Sequence, residues 1–354
     1  MQRCLEFNMP VTQKEIAQQL NVSIATVSRS LQSDPAIAPH TRGAVMQLAA
    51  SLGYRHRHKN RRRRANEIIQ IGVLVRTQAS EHQQDHNPTF SRFLSGMSEA
   101  SRPMKVSLSM DFVPPQLCDA IHLPENLPLM IRERIIKGLI LVGYFHPQTV
   151  AALNEMLPCV RIAQHDPSVA MDCVDHDDMR SMLLLIEHLK AKGHQKIGLL
   201  RTGTHLSFNR SRTAAYVEAM MVNQHQLDPE LLLQVDDTHP DGIALAAQRI
   251  KQLTEQGVTA WICTNDRAGY QQLRALKQLG VSVPGDVSLC GFDNNQPPVD
   301  CIKLTSINAP FADMGMVAVR VLCEKIDSPA REPMRLMLNT WLVQGDSVRD
   351  QSDL

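Results

Sequence analysis

From Ile68 onward the chain alternates short apolar runs with amphipathic stretches, and this alternation limits the possible folds more than any other feature. Strand candidates lie at 71–75, 106–110, 138–142, 196–200, 260–263 and 287–291, with a last one within 334–343. Helical spacing is read at 90–101, 147–157, 178–192, 210–222, 241–256, 266–280 and 311–326. Strands separated by helices must pair in parallel, because each crossover carries the chain back over the sheet. About 270 residues of this pattern exceed one sheet and predict two doubly wound parallel-sheet lobes.

The first 54 residues follow a different rule. Thr12 with Glu15 three residues later is a capping box, and Ile16, Ala17 and Leu20 give the helix behind it one apolar face. Asn21 tolerates the left-handed conformation of a tight turn, and Ser23 caps a second helix that buries Val27 and Leu31. Pro39 opens a third helix with Val45, Ala49 and Leu52 inward, and Gly53 stops it. The reading is an all-α helix-turn-helix head at 1–54, a basic linker at 55–70 and a two-lobed domain at 71–346.

Charge separates these parts. Lys and Arg total 37 against 36 Asp and Glu, a formal charge of +1 that looks neutral. Up to Arg64, however, the balance is +8, and over the remainder it is −7. A basic head on an acidic body points to a polyanion partner for the head alone. The apolar runs are too short to span a membrane, and no secretory pattern opens the chain, so a soluble cytoplasmic protein is expected. The eight cysteines, at 4, 118, 159, 173, 263, 290, 301 and 323, form no Cys-x-x-Cys pair and read as buried thiols.

In a helix-turn-helix the second helix enters the major groove by its first turn. Here that turn offers Ser23, Ile24, Ala25 and Thr26, followed by Ser28 and Arg29. Arg29 suits a bidentate contact to guanine, and Ile24 and Ala25 suit thymine methyls. Thr12, Lys14, Ser23, Thr26, Ser28 and Thr41 are phosphate-positioning candidates, with Arg61, Arg62, Arg63 and Arg64 of the linker.

The run Ala25-Thr26-Val27-Ser28-Arg29, with Val22-Ser23, Thr41-Arg42 and Leu52-Gly53-Tyr54, resembles the DNA-binding head of the lactose-repressor family of bacterial regulators. The resemblance continues in order through Ile71-Gly72-Val73, Asn87-Pro88 with Phe90 and Gly96, His188-Leu189 with Gly193-His194, Arg212 with Tyr216, Asn265-Asp266, Gly291-Phe292-Asp293 and Leu304-Thr305-Ser306 with Pro310. It implies a periplasmic-binding-protein-like core, a homodimer on the palindromic half-sites of double-stranded operator DNA, and a sugar or sugar derivative bound between the lobes. Carried over by position, Asn87, Phe90, Asp177, Arg212, Asn265 and Asp293 are the effector-binding candidates. Arg donates, carboxylate accepts and Asn does both, which suits a polyol, although each of these residues alone serves equally well as a helix cap or core partner. Trp261 reads as core.

Several residues depart from the family pattern. Its hinge helix carries a proline and a DNA-wedging leucine, whereas an ungapped count places His56, Lys59 and Arg63 at the proline and apolar positions. The linker is therefore expected to meet the minor groove or phosphates by charge. Ala38 stands where a helix-capping serine is usual, Lys137 where an acid is common, Gly345 where arginine is frequent, and Ser181 and Ala215 where the family has glycine. The segment 76–88 is longer than usual.

Two other readings stay open on sequence grounds. One is an enzyme that its head merely localises, although no glycine-rich phosphate loop or Gly-x-Ser-x-Gly elbow occurs. The other is an architectural protein that coats DNA through its arginine run. The groups at 175–178, His82 with His86 and His56 with His58 read as caps and loop residues rather than metal ligands, and no cofactor is expected.

Overall fold

A computed structural model of the chain describes residues 12–31, 34, 36–52, 68–77, 88–202, 207–235, 239 and 241–351. The chain divides into two compact units at Ala65 and Asn66.

In the first unit, α1 (Gln13–Gln19) starts at the capping box: Thr12 N donates to Glu15 Oε2 at 2.7 Å, and Glu15 N donates to Thr12 Oγ1 at 3.4 Å. Asn21 turns the chain with φ +53°. Ser23 Oγ then accepts from Thr26 N at 3.0 Å to start α2 (Ile24–Leu31), and α3 (Pro39–Ser51) follows. Ile16, Ala17, Val27, Val45 and Ala49 close a small core between the three helices. Each fully buried aliphatic there contributes about 2 kcal/mol, which is the main stabilisation available to so small a unit.

The second unit holds two six-stranded sheets. Lobe 1 is built from β1 (Ile69–Arg76), α4 (Pro88–Met104), β2 (Val106–Val113), α5 (Leu129–Arg132), β3 (Leu139–Val142), α6 (Pro147–Met156), β4 (Cys159–Ile162) and β5 (Asp172–His176). Lobe 2 follows with α7 (Asp178–Ala191), β6 (Ile197–Thr202), α8 (Ser207–Val222), β7 (Leu232–Val235), α9 (Gly242–Glu255), β8 (Ala260–Cys263), α10 (Asp266–Gln278), β9 (Ser288–Phe292) and β10 (Thr305–Asn308). The chain then returns to lobe 1 with α11 (Phe311–Asp327) and β11 (Arg335–Leu338), and ends in lobe 2 with β12 (Trp341–Val343). The strand orders are β11-β5-β4-β3-β1-β2 and β12-β10-β9-β8-β6-β7, parallel except where β12 runs against β10. Three segments therefore cross between the lobes: Asp177, Ala309 with Pro310, and Asn339 with Thr340.

Four strands escaped the sequence pattern. β4 contains Arg161, β5 reads Asp-Cys-Val-Asp-His and β10 reads Thr-Ser-Ile-Asn, so buried polar residues break the apolar run that marks a central strand. β7 is a four-residue edge strand. The stretch 334–343, read as one strand, is two strands in different lobes, because residues 339–340 carry the chain across.

Gly96 has a steric role. A Cβ at Gly96 would lie 1.7 Å from the Ala312 carbonyl oxygen, and one at Gly315 would lie 2.1 Å from that of Phe93. Only glycines let the backbones of α4 and α11 approach this closely and seal the lobe-1 core around Phe93, Met97, Phe311 and Met314.

Candidate functional site

The ends of β5, β8, β9 and β10 and the start of α7 converge where the three crossing segments meet, and this concentrates polar side chains. At the centre is Arg212 on α8, whose side chain is only 3% exposed. Its Nε donates to Asp178 Oδ1 at 3.0 Å, and its Nη2 lies 2.9 Å from His176 Nε2 and 3.7 Å from Asp293 Oδ1. Its Nη1 donates to the Thr264 carbonyl, and the rings of Phe292 and Phe208 flank the guanidinium at 4.2 and 5.0 Å. Stacking and forked hydrogen bonds together hold the plane in one orientation.

Three carboxyls around it titrate differently. Burial alone would raise Asp178, but the charges of Arg212 and His176 overcome this and hold it well below the usual carboxylate range. Asp266 goes the other way: burial and then the negative charge of Asp293 push it well up, although Ser306 Oγ (2.7 Å) and Asn295 N (2.7 Å) donate to it. Asp293 is also raised by burial, against the pull of Arg212, His176 and Arg92. A Cβ on Gly291 would collide with the Asp266 carboxylate, so the glycine makes room for that buried acid.

Asp293 adopts φ +104°, uncommon for a residue with a side chain. In this conformation its N–H donates to the Ile307 carbonyl at 2.8 Å, while its own carbonyl accepts from Arg92 Nη1 at 2.6 Å. Arg92 belongs to α4, stacks on Phe311 at 4.7 Å and also donates to Asn308 Oδ1 and the Ala309 carbonyl. One lobe-1 side chain thus reads the lobe-2 loop that presents Asp293. Ser181 Oγ donates to the Asp177 carbonyl at 2.6 Å and pairs with Thr340 Oγ1 at 2.8 Å, tying two of the three crossings.

Of the six effector candidates, Arg212 and Asp293 meet in this cluster. Asn265 caps α10 by accepting from Ala268 N at 2.8 Å and donates to Thr202 Oγ1 at 2.9 Å, next to the Thr264 carbonyl that Arg212 holds. Asp177 caps α7 by accepting from Arg180 N at 2.9 Å. Phe90 packs edge to face on Phe112 of β2 at 5.8 Å, within the lobe-1 packing. Asn87 lies outside the described residues. His176, Asp178, Arg92, Asp266 and Asn308 were not among the effector candidates, although Asp266 adjoins Asn265 and His176 and Asp178 flank Asp177 within the 175–178 group read as a cap. Gly345 is sterically required: a Cβ there would lie 2.3 Å from the Lys303 carbonyl oxygen.

In the head, Ser23, Ile24, Ala25 and Arg29 are exposed along α2, Thr26 and Ser28 are half-buried, and Ile24 is 50% exposed. Thr12 and Lys14 are exposed at the start of α1, and Thr41 is half-buried in the first turn of α3. Arg61, Arg62, Arg63 and Arg64 lie outside the described residues, as does nearly all of the linker at 55–70. Among the described residues, no group of His, Cys, Asp and Glu is arranged to hold a metal ion, and no helix is long and apolar enough to cross a membrane. Trp261 is fully buried, and six of the cysteines are buried. Cys301 is half-buried, and Cys4 is outside the described residues.

Residues 12–56 match the family "Bacterial regulatory proteins, lacI family", and residues 186–348 match a "Periplasmic binding protein-like domain". The chain is 28% identical to the HTH-type transcriptional regulator reg1 of Streptomyces lividans, over 94% of this chain and 96% of the relative. It is 26% identical to the HTH-type transcriptional repressor CytR of Escherichia coli strain K12 over 89% of both, and 24% identical to the ribose operon repressor of Haemophilus influenzae over 95% and 98%. The fold is that of the regulator CelR in its cellobiose complex (TM-score 0.68, 22% identity, 95% of this chain and 99% of that one). It is also that of the lac repressor dimer bound to operator and the anti-inducer ONPF (TM-score 0.65, 22% identity, 96% and 100%).

Proposed function

The chain belongs to the lacI family of bacterial regulatory proteins, and on that premise we propose that it is a sequence-specific transcriptional repressor whose operator binding is set by a carbohydrate-like effector held between its lobes. The observation that carries this reading is the Arg212, Asp178, His176 and Asp293 cluster at the crossing segments. The Asp293 carboxyl, 15% exposed and 3.7 Å from its nearest cation, keeps acceptor capacity for a ligand hydroxyl. A ligand touching Asp293 and Arg212 on lobe 2 also loads the Arg92 link to lobe 1, so binding favours one relative placement of the lobes. Asn265, Asp177, Phe90 and Asn87 complete the proposed effector set.

Base reading in the operator is assigned to Ile24, Ala25 and Arg29, with Ser23, Thr26 and Ser28 placed on phosphates. Thr12, Lys14 and Thr41 position the head on phosphates, and Arg61, Arg62, Arg63 and Arg64 add linker contacts. The working form is a cytoplasmic homodimer on two palindromic half-sites, binding its effector without turning it over. Fluorescence anisotropy on the site recovered by a genome-wide binding map tests the readout: Arg29→Ala should lose about 1–3 kcal/mol of operator affinity. Unchanged affinity would sink that assignment. Preference for the operator no greater than for random DNA would favour the architectural reading instead.

A further inference from the structure

Arg161 sits third in β4, between Leu141 of β3 and Cys173 of β5. Its side chain leaves the sheet on the face of Cys159 and Leu141, which is otherwise packed with aliphatic residues. The residue is 3% exposed, and its Nη1 has no hydrogen-bond partner. No ion pair reaches its guanidinium among the described residues. A buried cation without a partner is costly, and proteins tolerate one chiefly where function supplies the counter-charge.

The neighbours give the direction of the side chain. Besides Cys173, the groups whose charges act on Arg161 are Asp166, Tyr144 and Asp175, which stand at the carboxyl ends of lobe-1 strands or in the loops beyond them. In open parallel sheets that end faces the ligand crevice. The nearby acids are already engaged: Asp166 accepts from Ser168 N (2.9 Å) and Oγ (2.6 Å), and Asp175 accepts from His176 N (3.0 Å) and Arg335 Nη2 (3.1 Å). Arg161 is itself one of the charges that lower Asp166, so this acid lies on the same side of the sheet end as the guanidinium. His165, lowered by burial and by Arg335, adds little positive charge of its own near neutral pH.

We propose that this arm of the cleft is an anion subsite, in which Arg161 receives a carboxylate or phosphate carried by the effector. The inference rests on the effector reading above and narrows it: the ligand is an acidic carbohydrate rather than a neutral sugar. Arg212 and Asp293 then bind hydroxyls at one end, and Arg161 binds the anionic group at the other.

The test uses the full-length protein with glucose, glucuronate, glucose 6-phosphate and inorganic phosphate, followed by calorimetric titration and thermal melting. Glucuronate or glucose 6-phosphate should bind at least tenfold more tightly than glucose, and whichever of the two prevails separates the carboxylate from the phosphate form. Arg161→Met should bring that ratio to about one, while Arg161→Lys retains part of it. Without ligand, Arg161→Met should melt at or above the temperature of the unsubstituted protein, since it removes an unpaired buried charge. Glucose bound as well as the anions, or a ratio preserved in Arg161→Met, overturns the subsite and leaves the carbohydrate effector standing. A ligand-free Arg161→Met that melts several degrees lower also overturns it, because the guanidinium would then be a structural partner. Silence of all four ligands in both melting and operator binding would overturn the carbohydrate reading together with the subsite.

Discussion

Replacing Asp178 by asparagine keeps its shape and removes the charge that Arg212 and His176 face at 3.0 and 3.1 Å. Both partners of the ion pair are nearly inaccessible, with side-chain exposures of 3% for Arg212 and 8% for Asp178, so solvent cannot screen the loss. Removing one member of a buried pair costs about 3–5 kcal/mol, mainly because the other charge is left uncompensated. Here the Thr264 carbonyl and Asp293 remain near Arg212, which places the expected loss at the lower end, about 3 kcal/mol. With an unfolding entropy of about 2.1 cal/mol/K per residue, a unit of this length should melt about 5 °C lower. Calorimetry on Asp178→Asn, Arg212→Gln and the double variant provides the assay. The double variant should be less destabilised than the sum of the singles, with a coupling of about 2 kcal/mol. A loss below about 1 kcal/mol, or additivity within about 0.5 kcal/mol, would refute the claim that this pair organises the cleft.

Asp266 has a folded-state pKa raised above its ordinary 3.8, so its contribution is present below that value and is lost as pH rises through the folded pKa. Asp266→Asn should therefore flatten the fall in stability on going from acid to neutral pH; urea unfolding at pH 5 and 7 that shows the same slope as the unsubstituted protein would reject this. Gly96→Ala should cost about 3 kcal/mol or prevent folding, because its methyl meets the Ala312 backbone, and soluble expression with an unchanged melting temperature would contradict the packing. Burial pushes the Cys263 and Cys173 thiols up to about 12, whereas Cys301 is half-buried, so iodoacetamide at pH 8 should label Cys301 before either, as peptide mapping can show. Replacing Arg61, Arg62, Arg63 and Arg64 with alanine should reduce the salt slope of operator binding by a few units, and an unchanged slope would mean that they touch no phosphate.

The head was legible because its determinants are local. Thr12 with Glu15, Asn21 and Ser23 each act within three or four residues, and their hydrogen bonds and dihedral occur as the spacing implied. The alternation of strands and helices was equally legible wherever the buried strand was apolar. It failed at β4, β5 and β10 because polar residues are buried within them: Asp172 is engaged by Arg331 and the Met334 N–H, Asp175 by Arg335, and Ser306 by Asp266, and such pairings between distant segments break the apolar run that marks a central strand. Arg212, Asp293 and Asp177 were found by position in a family pattern; the residues beside Asp177, His176 and Asp178, read as part of a helix cap, and their pairing with Arg212, more than thirty residues away, is set only by the folded chain.

By itself, the sequence determined the capped helices of the head, its separation in charge from the body, and the parallel α/β character of the lobes, because these depend on propensity and periodicity over short spans. Only the tertiary structure decided that residues 334–343 divide between two sheets, that Gly96 and Gly315 allow two helix backbones to touch, and that Arg161 is buried with its Nη1 unpartnered and, among the described residues, no ion pair. Those outcomes depend on which distant segments share a surface, and a side chain's electrostatic environment exists only once that surface has formed.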